Sequence, residues 1–335
     1  MDHVRLGIIG YGAIAKNYHI PAIAHIPEAK MLAVADMDEA KARDCAKTYH
    51  VPDVYNDYRR IMDRADIDAI ILLTRCDTHV EVVAAAAETG KHVFMQKPFA
   101  MNSEEGRKIV ETARRGRIRV VTSFMHRYMD ETVKAGELIR AGAVGKVRMI
   151  RQRNGTFNTY ASAVKLWGAV QDIGPHGIDL IRFYANAKFV KASAMMDPYC
   201  TGAAPNSDGP GGRAVDMVSV MNYELTGQVL VSHEVFWDQA GGQGRFTSEV
   251  YGSEGAIFVR PMFTEKSVAL VRQGKPTEFP DVDATPFGVR HHQVFINDIL
   301  NDTYESASPE EGFEVLRVIE ANYESARTGG APAAV

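Results

Sequence analysis

The sequence has few cysteines and no long hydrophobic run. Its three cysteines, Cys45, Cys76 and Cys200, lie far apart and show no CxxC spacing. This pattern excludes a disulfide framework and a cysteine zinc site. No apolar stretch has the length of a membrane span, and the first residues show no signal-peptide pattern. We therefore expect a soluble, reduced, cytoplasmic protein without a membrane partner.

The sequence also lacks a large excess of charge of one sign. It has 38 basic and 42 acidic residues, a net charge of −4, and so no basic surplus for binding nucleic acid. Hydrophobic residues make up 46% and charged residues 24%, as in globular proteins, which excludes wholesale disorder. A length of 335 residues suits two domains.

The first third of the chain alternates apolar runs with segments of helical composition. Near-continuous apolar strands separated by helices indicate a parallel sheet covered on both faces. We predict an α/β fold whose first domain, residues 1–122, is a doubly wound Rossmann sheet. The predicted strands are Val4–Gly10, Met31–Asp36, Ala69–Thr74, His92–Met95 and Arg119–Phe124. The predicted helices are Glu39–Tyr49, His79–Thr89 and Glu104–Arg115.

The pattern changes after residue 122. Alternation of β-forming and polar residues indicates an open, mainly antiparallel sheet, so we predict a second α/β domain over residues 123–335. Its predicted strands are Val147–Asn154, Val215–Tyr223, Gln228–Phe236 and Phe246–Tyr251. Its predicted helices are Asp130–Ala141, one beginning near Asp172, His291–Asn301 and Pro309–Arg327. We expect Pro205–Gly212 to be an exposed loop and the tail Gly329–Val335 to be frayed.

A glycine-rich motif follows the first predicted strand directly. Gly10-Tyr11-Gly12-Ala13-Ile14-Ala15 matches the GxGxxG/A pattern of dinucleotide-binding turns. Gly10 permits the tight turn, Gly12 lets the backbone approach a pyrophosphate, and Ala15 keeps the helix close to the strand. The motif predicts that a nicotinamide dinucleotide binds at Gly10, Gly12, Ala13 and Ile14.

Asp36 ends the second predicted strand, where a carboxylate can accept hydrogen bonds from the ribose hydroxyls of the cofactor. The same carboxylate would repel a 2′-phosphate. The next residues, Met37 and Asp38, supply no compensating arginine or lysine. We therefore expect NAD to be preferred over NADP, with Asp36 and Met37 beside the adenosine ribose.

Two further segments place polar residues where core packing does not require them. Lys97 follows a predicted parallel strand, and ligands of such sheets bind at the carboxyl ends of the strands. The second segment is Asp172-Ile173-Gly174-Pro175-His176-Gly177-Ile178-Asp179. Asp172 and His176 are four residues apart, so one helix would present both on the same face. Pro175 is tolerated only in the first turn of that helix.

On these motifs the chain resembles the Gfo/Idh/MocA family, the group of glucose–fructose oxidoreductase and inositol dehydrogenase. The resemblance covers essentially the whole chain. It includes the opening Gly-Ile-Ile-Gly-Tyr-Gly, Lys97-Pro98, the Asp172–Asp179 motif and Gly252-Ser253-Glu254-Gly255-Ala256. It implies a Rossmann domain followed by an α/β domain whose open sheet binds the substrate on one face. It also implies a homodimer or homotetramer.

The resemblance further implies roles for individual residues. The lysine of the family's Glu-Lys-Pro motif and the Asp and His of its DxGxH motif fall on the catalytic candidates Lys97, Asp172 and His176. The implied cofactor contacts are Thr74, Asp77, His79, Gln96, Lys97 and Arg127. The implied substrate contacts are Lys97, Arg127, Asn154, Trp167, Asp172 and His176, with Tyr128, Phe157, Tyr160 and Lys165 as further candidates.

Two positions depart from the family's pattern. Gln96 replaces the usual glutamate, and the loss of this anion should let Lys97 release its proton more easily. The segment before Asp172 is Leu166-Trp167-Gly168-Ala169 in place of a glycine run. Trp167 either stacks on the C–H face of a sugar or is an ordinary core tryptophan.

The implied reaction oxidises a secondary or anomeric hydroxyl of a sugar or polyol. His176 is the candidate base, because an unperturbed imidazole with a pKa of about 6.5 accepts a proton at neutral pH. Lys97 would stabilise the negative charge that develops on the same oxygen. Asp172 would hold the substrate or the other two residues. Exchanging the roles of Lys97 and His176 fits the sequence equally well.

Several functions remain open on the sequence. The leading hypothesis is an NAD-dependent dehydrogenase of a free monosaccharide or cyclitol. The alternatives are an NAD-dependent glycosidase that oxidises its substrate transiently and a non-catalytic NAD-binding regulator of the same fold. A reductase working in the opposite direction is not distinguishable. The adjacent His291 and His292 cannot readily chelate one ion from a helix, so we expect no metal.

Overall fold

The computed structural model describes residues 2–155, 168–197, 216–237, 246–260 and 266–335. The chain divides into two compact units. One consists of Met1–Met125 with Thr285–Leu316, and the other of His126–Ala284 with Arg317–Val335. The sequence-based division after residue 122 assigns both C-terminal helices to the second domain. In the structure, residues 285–316 belong to the first unit by their contacts, and residues 317–335 belong to the second unit.

The first unit contains a six-stranded sheet in which all strands are parallel. Its strands are β1 (Val4–Ile9), β2 (Ala29–Ala35), β3 (Asp53–Tyr55), β4 (Ala69–Leu72), β5 (His92–Met95) and β6 (Val120–Thr122). They lie in the order β3-β2-β1-β4-β5-β6, which confirms the predicted doubly wound Rossmann sheet. The order reverses between β1 and β4, which is where such sheets bind their ligands.

The helices agree closely with the predicted ones, apart from short turns that the sequence pattern does not reveal. They are α1 (Ile20–Ile23), α2 (Glu39–Tyr49), α3 (Arg59–Met62), α4 (His79–Glu88), α5 (Ser103–Gly116), α6 (Asp130–Arg140), α7 (Ala169–Asp172), α8 (Gly174–Ala185), α9 (Val289–Asn301) and α10 (Pro309–Arg327). Within the described residues, none of them is both long and apolar enough to cross a bilayer. A π-helical turn, Ala15–His19, precedes α1.

Both faces of the parallel sheet are buried, because successive residues of each strand point to opposite sides. In β4, Ile70 packs in one apolar cluster with Val83 of α4 and Ile109 of α5. The neighbouring Ile71 packs in the other cluster with Phe295 of α9. Continuous apolar strands are therefore needed at the centre of this sheet, and they explain why its pattern is legible in the sequence.

The second unit contains an eight-stranded sheet that is mainly antiparallel. Its strands are β7 (Val147–Gly155), β8 (Phe189–Asp197), β9 (Val218–Leu225), β10 (Val229–Phe236), β11 (Phe246–Gly252), β12 (Gly255–Val259), β13 (Val268–Arg272) and β14 (Ala333–Ala334). Their order is β13-β12-β11-β7-β10-β9-β8-β14. The central pair β7 and β10 is parallel, and the other neighbours are antiparallel. The predicted open, mainly antiparallel sheet is confirmed.

Two local predictions are wrong. The expected frayed tail instead adds β14 to the sheet edge, where Ala333 pairs with Ala192 and the Val335 N–H donates to the Val190 carbonyl. Backbone pairing with a distant strand fixes these residues, and local composition does not reveal such pairing. Pro205–Gly212, expected to be a loop, lies outside the described residues.

The second wrong prediction is a single helix that carries both Asp172 and His176. Asp172 is the last residue of α7, and α8 begins at Gly174. Pro175 lies in the first turn of α8, as expected. Proline lacks an N–H and its ring clashes with the carbonyl four residues earlier, so a continuous helix through Pro175 is blocked.

Candidate functional site

The turn after β1 has the backbone geometry that its glycines allow. Gly10 has φ +91°, and a Cβ there would lie 3.0 Å from the Leu73 carbonyl carbon and 3.0 Å from Thr74 Cγ2. Any other residue would be strained and would collide with the chain after β4. A Cβ at Gly12 would meet nothing within 4 Å, so this side of the turn is open.

Asp36 is fixed at the end of β2 by two backbone hydrogen bonds. Its Oδ2 accepts the Tyr11 N–H at 2.7 Å, and its Oδ1 accepts the Asp38 N–H at 2.9 Å. The carboxylate is thus held against the glycine-rich turn itself. Met37 beside it is 95% exposed, which leaves this edge open to a ligand.

These residues fit a dinucleotide. The open side of Gly12 is a cradle that a Cβ would fill, and the first N–H groups of a helix have no partner within the helix. Ala13 and Ile14 are exposed in the same turn. A pyrophosphate would lie on this turn, and the Asp36 carboxylate would accept from ribose hydroxyls.

The loop after β4 holds three of the predicted cofactor contacts. Thr74 shares a hydrogen bond of 2.6 Å with the Thr78 hydroxyl, and exposed Asp77 forms an ion pair with Arg75 at 2.9 Å. His79 is buried and its Nδ1 lies 3.2 Å from the Phe99 carbonyl oxygen. Burial lowers the pKa of His79 to about 4, so this imidazole is neutral. His79 thereby ties α4 to the chain that follows β5.

Lys97 follows β5 and is half-buried, and its peptide bond to Pro98 is cis. Its backbone N–H donates to Gln96 Oε1 at 2.8 Å. The Gln96 side chain is largely buried, and its Nε2 lies 3.1 Å from His19 Nε2. The residue that replaces the family's glutamate is therefore bonded on both sides, to the Lys97 backbone and to a buried imidazole.

In the second unit, Asp172 and His176 each have an aromatic neighbour. Asp172 Oδ2 accepts the indole N–H of the buried Trp237 at 3.2 Å. The His176 ring lies 4.3 Å from the His126 ring, which in turn lies 3.9 Å from the Phe246 ring in an edge-on arrangement. His176 is 7% exposed, so its orientation is set by packing.

The glycine after His176 allows α8 to lie on the sheet. A Cβ at Gly177 would lie 2.1 Å from Asn154 Oδ1 on β7 and 2.3 Å from His233 Nε2 on β10. His233 Nε2 and Asn154 Oδ1 are 2.8 Å apart, and burial lowers the pKa of His233 to about 3. Asn154, a predicted substrate contact, is fully buried under the helix.

Arg127 and Asp179 form a buried ion pair. Arg127 Nε donates to Asp179 Oδ2 at 3.0 Å, and Nη2 donates to Oδ1. Asp179 has no exposed surface, and the guanidinium also lies over the Phe183 ring at 5.7 Å. Arg127 was expected to contact cofactor and substrate. In the structure its charge is matched by the last acidic residue of the Asp172–Asp179 motif.

The predicted residues thus fall into groups within each unit. The first unit brings together the turn after β1, Asp36 and Thr74, and it also carries Lys97. The second unit carries Asp172, His176, Arg127 and Asn154. Trp167, Phe157, Tyr160 and Lys165 lie outside the described residues. The individual roles of all these residues stay predictions.

Sequence reasoning missed several partners of these residues. They are Trp237 beside Asp172, His126 beside His176, Asp179 beside Arg127, and His19 beside Gln96. Only Asp179 had a local signal, because it repeats the acidic spacing around His176. The others are distant along the chain, and their pairing depends on the packing of strands and helices.

Comparison with known proteins gives a consistent assignment across the chain. A family model described as an oxidoreductase family with an NAD-binding Rossmann fold matches residues 4–124. A model of the GFO/IDH/MocA C-terminal domain matches residues 132–258. Together the two models cover more than half of the chain.

Individual relatives extend this similarity. Inositol 2-dehydrogenase 2 of Saccharopolyspora erythraea is 25% identical over 334 residues, which covers 97% of this chain and 94% of the relative. Inositol 2-dehydrogenase 3 of the same organism is 33% identical over 196 residues, 57% of this chain and 56% of the relative. A solved structure of levoglucosan dehydrogenase in complex with NADH and levoglucosan has a TM-score of 0.86 at 21% identity, and the match covers 99% of each chain.

We expect Asp179→Asn to lower the free energy of unfolding by about 3–5 kcal/mol, because it removes the buried carboxylate that pairs with the Arg127 guanidinium. Chemical denaturation, followed through the transition in which the second unit unfolds, would measure this loss. The matched control is Glu224→Gln, whose exposed ion pair with Lys191 in the same unit should be worth at most about 1 kcal/mol. A loss as small as that of the control would contradict the importance of the buried pair.

We expect Asp36→Asn to weaken NAD binding about 10- to 150-fold, because a hydrogen bond to a charged group contributes about 1.5–3 kcal/mol. NADP binding should stay equal or improve, since the repelling charge is gone. Titration of both cofactors by calorimetry would give the two Kd values. Asp38→Asn is the control, because asparagine also caps α2 while a nearby charge is removed. Equal changes in both variants would show a general charge effect and refute specific ribose recognition.

Proposed function

The chain belongs to the Gfo/Idh/MocA family of oxidoreductases, and on that premise we propose that it is an NAD-dependent dehydrogenase of a monosaccharide or cyclitol. The observation that carries the proposal is the turn after β1, where Gly10, Gly12 and the fixed Asp36 carboxylate together suit a dinucleotide. Such a site is of use to an enzyme that moves a hydride.

The substrate class rests on the relatives. Those named above act on inositol and levoglucosan, which are compact rings that carry several hydroxyl groups. We therefore propose a ring-shaped polyol or sugar as substrate, oxidised at one of its hydroxyl groups.

The proposed roles follow the chemistry of each side chain. NAD, when bound, supplies the hydride acceptor. His176 takes the hydroxyl proton, and its packing against His126 keeps the ring in one orientation. Lys97 donates to the same oxygen and stabilises its developing charge. Asp172, held by the Trp237 indole, orients the substrate or the two other residues. If Lys97 is the base instead, the pH dependence of kcat in the His176 variant will differ from that expected with His176 as the base.

NAD in preference to NADP is part of the proposal. Asp36 has each carboxylate oxygen already accepting a backbone N–H, so it cannot swing away from an incoming 2′-phosphate without breaking both bonds. Electrostatic repulsion would then oppose NADP binding. The exposed Met37 offers no positive charge in compensation.

We also propose that the protein is a homo-oligomer through the open face of the eight-stranded sheet. Tyr251, Met149 and Leu230 are direct cross-strand neighbours on β11, β7 and β10. Leu230 is 60% exposed, and on β8 and β9 the paired Met195 and Val220 are also exposed. Exposed Glu224 lies opposite Leu230, and Glu234 lies opposite Val220, so the face mixes apolar and charged side chains. Protein interfaces commonly combine apolar and polar surface in this way.

The test of the enzymatic proposal is NADH formation by the purified protein with NAD and a panel of aldoses, cyclitols and uronic acids. We expect turnover on a subset of the panel. Lys97→Ala and His176→Asn should each reduce kcat about 100- to 10,000-fold, the usual contribution of proton transfer by a positioned side chain. Lys108→Ala, which removes an exposed lysine paired with Glu104 on α5, is the control and should leave kcat unchanged.

Other outcomes would redirect the assignment. NAD binding without NADH formation, together with release of sugar from a glycoside, would replace the dehydrogenase by the glycosidase. Tight NAD binding without either reaction would favour the regulator. Full activity in Lys97→Ala would refute the proposed role of that lysine.

For the oligomer, we expect light scattering after gel filtration to give a mass of at least twice 36.9 kDa. Leu230→Arg combined with Met149→Arg should shift the protein to a monomer, because two charges would be buried in the interface. Tyr304→Arg, at an exposed aromatic residue of the first unit, is the control. A monomeric wild-type protein, or an unchanged oligomer in the double variant, would reject this face as the interface.

A further inference from the structure

A chain of hydrogen-bonded side chains runs from the Lys97 backbone into the interior of the first unit. The Lys97 N–H donates to Gln96 Oε1 at 2.8 Å, and Gln96 Nε2 lies 3.1 Å from His19 Nε2. His19 Nδ1 lies 3.1 Å from His292 Nε2 on α9. Gln96 is 9% exposed, His19 0% and His292 1%. The sequence motifs do not reveal that these three side chains bond to one another.

The direction of every hydrogen bond in this chain follows from its first member. A backbone N–H can only donate, so the Gln96 atom facing it is the carbonyl oxygen, and the amide NH2 faces His19. His19 Nε2 must then accept, which places its proton on Nδ1. That proton is donated to His292 Nε2, so His292 also carries its proton on Nδ1.

The hydrogen-bonded side chains of Gln96, His19 and His292 carry no charge. Burial lowers the pKa of His19 well below its ordinary value and lowers the pKa of His292 to about 3, so both imidazoles are neutral. The titratable groups around His19 are Tyr18 on its own helical turn, and His291 and His292 on α9. Phe94 of β5 covers another side of the ring. Among the described residues, no carboxylate contributes to the pKa of His19.

We propose that Gln96, His19 and His292 are positioning residues for Lys97. The amide at position 96 is required because the two histidines behind it are neutral and each hydrogen bond of the series is donated in the direction away from Lys97. His292 orients His19, His19 locks the Gln96 amide, and the amide fixes the backbone at Lys97. For its kinetic consequences this inference rests on the proposed function, in which Lys97 donates to the substrate oxygen.

A carboxylate at position 96 would not fit the same chain. It could still accept the Lys97 N–H, but its second oxygen would face His19 Nε2 and would need a proton there. Either His19 would take a second proton and become a buried cation, or both histidines would move their protons to Nε2. In the first case the new cation would offset part of the charge that Gln96→Glu brings beside Lys97.

The direct test is 15N NMR of the full-length protein with labelled histidines, assigned with His19→Gln and His292→Gln. We expect both residues in the wild-type protein to be neutral with the proton on Nδ1, and to stay so between pH 8 and pH 5. In Gln96→Glu we expect His19 to gain a proton on Nε2. A doubly protonated His19, or a proton on Nε2, in the wild-type protein at pH 7 would overturn the inferred chain.

The positioning role is tested by His292→Leu, which removes the acceptor at the end of the chain. We expect the amide resonance of Lys97 to shift and kcat to fall about 10-fold, the usual effect of one hydrogen bond of about 1–1.5 kcal/mol. The KM for NAD should change less than about twofold, because the turn after β1 is untouched. His292→Gln, whose carbonyl oxygen can accept from His19, should restore kcat to within about threefold of the wild type.

His291→Leu is the matched control, because it removes a neighbouring buried imidazole of α9 that is not part of the hydrogen-bonded series. The His291 Nδ1 lies 3.4 Å from the Tyr18 hydroxyl. It should destabilise the protein to a similar degree without moving the Lys97 amide resonance. If His292→Leu shifts that resonance no more than His291→Leu does, positioning is refuted. The resonance can be read whether or not the protein proves to be a dehydrogenase, so failure of the proposed function and failure of this inference are distinguishable.

Discussion

The left-handed backbone at Gly10 is the constraint on which the first unit depends. At this residue β1 turns against the chain after β4, with only 3.0 Å available between a Cβ position and the Leu73 carbonyl carbon. The close approach lies between β1 and β4, the neighbouring parallel strands at which the order of the sheet reverses. The same turn presents the Tyr11 N–H to Asp36, so one backbone conformation sets both the open side of Gly12 and the position of the Asp36 carboxylate, which we propose as the phosphate and ribose contacts.

The second unit depends on a comparable close approach, made by Gly177. Without a Cβ there, α8 lies against the polar side chains of Asn154 and His233, which bond to each other beneath it. The position of α8 then determines where His176 and Asp179 lie. Asp179 matches the charge of Arg127, so the motif from Asp172 to Asp179 supplies helix packing and a buried counter-charge as well as its candidate catalytic residues.

Local sequence patterns were sufficient where a feature depends on neighbours in the chain. The central strands β4 and β5 are buried on both faces, and their continuous apolar runs made the parallel sheet predictable, as did the glycines of the turn. Pairing between distant segments was not predictable. The edge strand β14, the parallel contact of β7 with β10, and the burial of His79 all depend on residues far away in the sequence.

The same electrostatic rule applies to the buried polar groups of each unit. Removing a charge from water costs several kcal/mol unless an opposite charge accompanies it. Arg127 has such a partner in Asp179, whereas His19, His233 and His292 are kept uncharged by burial. A glutamate at position 96 would place a charge against the neutral, buried imidazole of His19. An amide gives the Lys97 backbone the same acceptor without that cost, and so the departure from the family's motif and the buried histidines behind it are consequences of one electrostatic requirement.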